Sequence, residues 1–252
     1  MSNMLNLSKA ESDNLLNLRK NTLQLCLEKT NLLNTKARVA VALDFSGSMS
    51  RLYKDGSVQA VIERLLPIAV QFDDNGEMEL WLFDNGYKRM PNISLNNYYG
   101  YIKREILDKG YRLGGTCYAP VMKDIANKYI KEEPMPIADY VIFITDGANS
   151  DRAAAKETIV ENANYPIFWQ FVGIGNERFE FLRKLDELDG RYVDNANFFE
   201  INNLLDSSDN EIYSKLLAEF PAWLEDPKVK ELISVKYKGQ NNKKGLFSRL
   251  FG

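Results

Sequence analysis

The chain contains no histidine. That absence removes Ser-His and Cys-His catalytic pairs and every imidazole ligand to zinc, copper or iron. Cysteine is scarce too. Cys26 and Cys117 are the only two, they match no metal or redox spacing, and both are read as buried thiols. A bound metal would therefore need oxygen ligands, which favours magnesium, calcium or manganese. No apolar run of roughly 18 residues exists, so no segment reads as spanning a bilayer. The first residues show no basic leader followed by an apolar stretch, and a cytoplasmic location is expected. Proline is sparse, at 8 in 252 residues, while 45% of the chain is hydrophobic, so a disordered chain is excluded and a sizeable core is available.

The net charge of −3 is unevenly spread. From Lys228 to Gly252 there are seven basic residues and one acid, Glu231, giving +6; the remaining 227 residues carry −9. An acidic body with a basic tail argues against nucleic-acid binding by the body. Three parts are expected: an N-terminal extension, probable helix by composition, over 1–35, one α/β domain over 36–226, and a basic flexible tail with a short apolar end over 227–252.

Periodicity places the elements. Ser8 and Glu11 have capping-box spacing, and a helix is predicted from there to Leu33, with Leu15, Leu18 and Leu25 at helical spacing. Ala37–Asp44 reads as a buried parallel strand ending in a carboxylate. A helix over Gly56–Phe72, kinked at Pro67, leads to a strand at Met78–Phe83 and a hairpin at Asn85-Gly86. Helices are predicted over Asn96–Leu107 and Ala119–Tyr129, then a central strand over Ala138–Asp146 and a polar helix over Asp151–Asn162. Pro166–Val172 is a further buried strand. Gly173-Ile-Gly175 leads into a helix through Leu185, a short strand spans Tyr192-Val193 and Phe198-Phe199, and a helix covers Asn210–Leu224. Strands alternating with helices predict a Rossmann-like, doubly wound, mostly parallel sheet with helices on both faces.

In such sheets ligands gather beyond the carboxyl ends of the strands. Two predicted strands end there in aspartate followed by small residues: Asp44-Phe45-Ser46-Gly47-Ser48 and Asp146-Gly147, with Gly114-Gly115-Thr116 between them in sequence. Asp44, Ser46 and Ser48, at alternate positions of a turn that Gly47 is expected to keep uncrowded, can aim three oxygens at one point. Thr116 adds a hydroxyl and Asp146 a second carboxylate. Five oxygen donors suit a hard divalent ion, and neutral hydroxyls leave it electrophilic enough to take a partner's carboxylate. A turn or helix cap is the plainer reading of Asp-x-Ser-Gly-Ser alone.

Together, Asp44-x-Ser46-x-Ser48, Thr116 and Asp146-Gly147 resemble the metal-ion-dependent adhesion site (MIDAS) of von Willebrand factor A (VWA) domains. The stretches around Ala37–Met49 and Gln71–Phe83 are similar to the A domain of bacterial tellurium-resistance proteins. The resemblance implies a VWA fold and a divalent ion, most simply Mg2+ with Mn2+ or Ca2+ as alternatives, on Asp44, Ser46, Ser48, Thr116 and Asp146. It also implies a non-enzymatic, metal-dependent protein-interaction module in a cytoplasmic stress or tellurium-resistance system. Its partners would be proteins that donate a carboxylate, other tellurium-resistance proteins among them, and no nucleic acid.

Two other functions compete with that reading: a copine-like peripheral membrane protein, touching lipid only through the basic tail, and a metal-dependent phosphate-ester hydrolase. The second lacks the further aspartate of haloacid-type phosphatases, since Ser46 stands there. Asp73–Glu77 reads as a solvated turn rather than a calcium loop, and Gly173-Ile-Gly175 lacks the third glycine of a nucleotide loop. Tyr98-Tyr99-Gly100-Tyr101 reads equally as a contact surface or as packing. The end of the tail, Leu246–Phe251, is expected to act as a tethered docking peptide.

Overall fold

A computed structural model describes residues 7–73, 75–147, 149–175, 177–202 and 207–235. Its centre is a six-stranded sheet in the order β3-β2-β1-β4-β5-β6. The strands are β1 (Ala37–Asp44), β2 (Glu79–Phe83), β3 (Tyr87–Arg89), β4 (Ala138–Thr145), β5 (Ile167–Ile174) and β6 (Ala196–Ile201). Only the β2–β3 hairpin is antiparallel. β1, β4 and β5 are buried along their whole length, which is why they read as continuous apolar runs instead of alternating ones.

Helices cover both faces, as predicted. On one lie α1 (Lys9–Lys29), α3 (Ser57–Phe72), α4 (Tyr101–Glu105), α8 (Asp209–Leu216) and α9 (Phe220–Glu225), with α2 (Ser50–Lys54) beside the β1 loop. On the other lie α5 (Ala119–Asn127), α6 (Arg152–Asn162) and α7 (Glu180–Asp186). Two separate apolar clusters fill the layers. One contains Val39, Val41 and Leu43 of β1, and the other Ala40 and Ala42, because successive strand residues point to opposite faces.

Several expectations need correction. The capping box at Ser8 and Glu11 is present. The buried stripe of α1, however, is Leu16, Arg19, Leu23, Cys26 and Leu27, while Leu18 and Leu25 are 62% and 58% exposed. The stripe admits a charged residue, since Arg19 meets Glu63 of α3 at 3.5 Å and Asp209 of α8 at 3.6 Å, so counting leucines alone misplaced it. α1 is thus packed into the core and is no loose extension. α3 runs unbroken through Pro67. The helix expected over Asn96–Leu107 shrinks to α4, after Asn97 turns its side chain onto the Ser94 amide and Gly100 takes φ +63°. The helix over Asn210–Leu224 splits into α8 and α9, and Tyr192-Val193 lies outside β6.

The tail does not begin at residue 227. Residues 227–235 are helical, Val229 is fully buried, and Leu232 and Ile233 pack on the core. The docking peptide at Leu246–Phe251 lies outside the described residues. Among the described residues no helix is long and apolar enough to cross a membrane.

Candidate metal centre

The sheet order reverses between β1 and β4, and the crevice at their carboxyl ends is where a doubly wound fold binds ligands. Leu43 of β1 sits opposite Ile144 of β4, so Asp44 and Thr145 emerge level with one another, followed by Asp146. The Thr145 hydroxyl donates to Asp44 Oδ2 at 2.6 Å, and the Ser46 amide donates to Asp44 Oδ1 at 2.8 Å. Ser46 Oγ lies 3.0 Å from Ser48 Oγ, whose hydroxyl donates to Asp146 Oδ1 at 2.9 Å. Four of the five expected donors therefore form one hydrogen-bonded chain linking two carboxylates.

Asp44 is 1% exposed, and neither it nor Asp146 has a cationic partner among the described residues. Burial pushes the Asp44 carboxyl up to about 6, with the Asp146 charge adding to the rise and the Thr145 and Ser46 hydrogen bonds opposing it. Asp146 is raised as well, first by burial and then by the charge of Glu177. Two carboxylates and hydroxyl oxygens without a countercharge form a donor set that fits a hard divalent ion. Among the described residues no group of three or more His, Cys, Asp or Glu side chains offers an alternative metal site.

Thr116 reaches this region on its own loop. Ser46 and Gly114 form a parallel bridge, and the Gly47 amide donates to the Gly114 carbonyl at 3.2 Å. The Thr116 carbonyl accepts from the Ser150 amide at 2.9 Å, which ties this loop to the one after Asp146. Among the described residues, no hydrogen bond joins the Thr116 side chain to the other four.

The glycines behave differently from expectation. A Cβ on Gly47 would meet nothing within 4 Å, so Gly47 is not needed to relieve crowding. Gly114 and Gly115 are the constrained ones. A Cβ on Gly114 would come within 2.4 Å of Asp84 Oδ2, and one on Gly115 within 2.5 Å of Asn85 Oδ1. This close approach of the Thr116 loop to the β2–β3 turn needs residues without side chains.

Supporting residues went unnoticed in the sequence. The Tyr53 hydroxyl donates to the Asp44 carbonyl at 2.9 Å, and the Tyr118 hydroxyl to the Gly147 carbonyl at 2.6 Å. Asp151 accepts the amides of Tyr118 and Ala119 at 2.9 and 2.8 Å, capping α5 from the loop after β4. Only Thr145 carried a local signal, as a hydroxyl immediately before Asp146 at a strand end. Cys117 is half-buried, not buried, with Sγ 3.2 Å from Ser150 Oγ.

The weaker motifs resolve into structure. The Asn75 and Glu77 amides donate to Asp73 and Asn75 side chains, so that stretch is a turn. Gly173 lies within β5, where a Cβ would come within 2.8 Å of the Phe179 ring. Tyr98 and Tyr101 are buried packing residues, and Tyr99 is 38% exposed.

The six-stranded, mostly parallel sheet between two helical layers is the fold of a von Willebrand factor A domain. Residues 36–233 match the vWA-TerF-like family, described as the vWA found in the TerF C terminus, and the chain belongs to that family. It is 44% identical over 240 residues to the uncharacterized protein YcbR of Bacillus subtilis (strain 168), covering 94% of this chain and 98% of that one. Solved structures share the fold at low identity. Proximal thread matrix protein 1 from the mussel byssus matches with TM-score 0.55 and 16% identity, over 73% of this chain and 48% of that one. A structure of the same mussel protein with a zinc-occupied MIDAS motif also gives TM-score 0.55 and 16% identity, over 73% and 47%. A von Willebrand factor type A protein from Catenulispora acidiphila gives TM-score 0.51 and 14% identity, over 73% and 42%. The chain spans less than half the length of these three structures.

Proposed function

We propose that this chain is a metal-dependent protein-interaction module, with Asp44, Ser46, Ser48, Thr116 and Asp146 holding a divalent ion, most simply Mg2+, with Mn2+ or Ca2+ as alternatives. One observation carries the reading: a buried carboxylate, Asp44, is linked through Ser46 and Ser48 to Asp146 with no cation among the described residues to balance either charge. The zinc-occupied motif of the mussel protein on the same fold adds support. A bound ion would supply an electrophilic position for a carboxylate brought by a partner protein. The chain's own groups orient that position. Thr145 and the Ser46 amide hold both oxygens of Asp44, and Ser48, exposed at the rim, opens the cluster to solvent.

The activity is binding, not turnover, because the carboxylates placed to serve as a base are those that would hold the ion. The TerF-type family and the likeness to tellurium-resistance A domains support a cytoplasmic role in a stress or tellurium-resistance system, with other proteins of that system as partners. Thermal unfolding with magnesium, manganese or calcium against chelator tests the centre. Stabilisation by at least one ion, abolished in Asp44→Asn, is expected; no response to any of them overturns the reading.

A further inference from the structure

Beside the Asp44–Asp146 cluster the surface forms a groove of about 230 Å³. Phe45, Leu82, Asp84, Lys88, Tyr111 and Arg112 line it. Its lining adjoins the candidate metal centre along the chain and through Gly114, which bridges Ser46 and lies against Asp84. Phe45 lies between Asp44 and Ser46, and Tyr111 and Arg112 belong to the loop that ends in Gly114-Gly115-Thr116.

The charges of the groove are unequal. Lys88 and Arg112 are exposed, and neither has a carboxylate partner among the described residues. Lys88 Nζ lies 4.1 Å from the centroid of the Tyr111 ring, a cation held against an aromatic wall. The one carboxylate among the lining residues, Asp84, is half-buried and offsets only one of the two exposed cations. It accepts the Gly86 amide at 2.8 Å and is pressed against Gly114, where an added Cβ would come within 2.4 Å of Oδ2. Next to Arg112, Leu113 leaves 39% of its surface exposed. A net positive lining over apolar and aromatic side chains matches an extended segment that carries both acidic and apolar residues.

We propose that this groove docks an acidic segment of a partner protein. One carboxylate would take the ion, further acidic side chains would meet Arg112 and Lys88, and an apolar side chain would lie against Phe45, Leu82 and Tyr111. The proposal rests on the metal-dependent reading above and specifies its partner. Exposed charge pairs contribute little affinity each, so Arg112 and Lys88 act mainly on choice of partner and on association rate.

The test uses the full chain as bait for a displayed library of random peptides in magnesium, eluted with chelator. The recovered peptides should carry two or more acidic residues with an apolar or aromatic residue close by. In fluorescence anisotropy, the double substitution Lys88→Glu and Arg112→Glu should weaken such a peptide about tenfold and flatten its salt dependence. The magnesium-induced rise in melting temperature should survive in that variant, since neither residue is among the proposed ligands. Lys88→Ala with Arg112→Ala should fall between the two. Basic or neutral peptides, or chelator-sensitive binding indifferent to the charge reversal, would overturn the groove while leaving the metal centre standing. Anionic vesicles bound through the same cations, with no acidic peptide recovered, would also overturn it. Loss of both the magnesium shift and all chelator-sensitive peptides would overturn the metal reading, and this proposal with it.

Discussion

β1 and β4 run side by side, and each buries an aspartate, but at opposite ends of the sheet. Near their start Asp139 of β4, fully buried, meets Arg38 of β1 at 2.6 Å, and Arg38 also stacks over the Tyr129 ring at 4.0 Å. At their finish Asp44 is 1% exposed and has hydroxyl and amide donors but no cation among the described residues. The same two strands thus carry one balanced charge and one unbalanced charge. The first is explained within the fold. The second calls for something from outside, and the difference marks the functional end of the sheet.

The largest effect should come from breaking the balanced end. Arg38→Ala leaves Asp139 buried without its cation and should cost about 3–5 kcal/mol in denaturant unfolding. The double variant Arg38→Met with Asp139→Leu should recover most of that loss. If the single substitution is tolerated, the two ends do not differ as described.

Next in size is the response to the ion. At a free concentration of about 100 Kd, an ion that binds only the folded chain should add about 2.7 kcal/mol to wild type. Asp44→Asn should keep its fold and show no such gain. Equal stabilisation of both proteins would mean that the ion binds elsewhere.

The unbalanced end should also announce itself through pH. The folded Asp44 carboxyl is raised to about 6 from an ordinary 3.8, so the folded chain holds that proton more tightly than the unfolded one. In chelator, stability from this group is therefore full below about pH 4 and declines as pH rises to about 6, by about 3 kcal/mol. Asp186, raised to about 6 by burial and by Glu219 and Asp194, contributes with the same sign. The difference between wild type and Asp44→Asn across this window isolates Asp44. With ion present the trend reverses, since proton and ion compete, and ion-induced stabilisation should fade as pH falls below about 6. A flat difference curve in chelator would refute the raised carboxyl.

The smallest effects distinguish the glycines. Gly115→Ala and Gly114→Ala force the Asn85 or Asp84 side chain aside and should cost about 1 kcal/mol while weakening ion binding, because the Thr116 loop shifts. Gly47→Ala, with open space around its Cβ, should be close to neutral in both measurements. Calorimetry with the preferred ion checks the order.

Much of this fold is legible in the sequence, for a physical reason. β1, β4 and β5 are buried on both faces, so each is mainly apolar instead of alternating, and the alternation with helices then implied a parallel sheet. Asp44 and Asp146 stood out because each ends such a run. What stayed hidden depended on side chains distant in sequence. The α1 stripe could not be placed from its leucines alone, because it includes Arg19, whose burial Glu63 and Asp209 make tolerable. The helix expected over Asn210–Leu224 breaks between Leu217 and Glu219, and α9 begins with Pro221 in its first turn.

The sequence by itself determined the doubly wound architecture, the exclusion of histidine chemistry, and the pair of strand-end aspartates. Those follow from composition and from periods of a few residues, which any chain must show if it is to bury its strands. Only the tertiary structure decided that Thr145 and Tyr53 hold Asp44, that Gly114 and Gly115 rather than Gly47 are confined, and that, among the described residues, Asp139 has its cation while Asp44 does not. Each of these is set by the distance between groups up to about a hundred residues apart, and burial makes that distance count. The desolvation that raises Asp44 exists only once the sheet and its helices have closed around it.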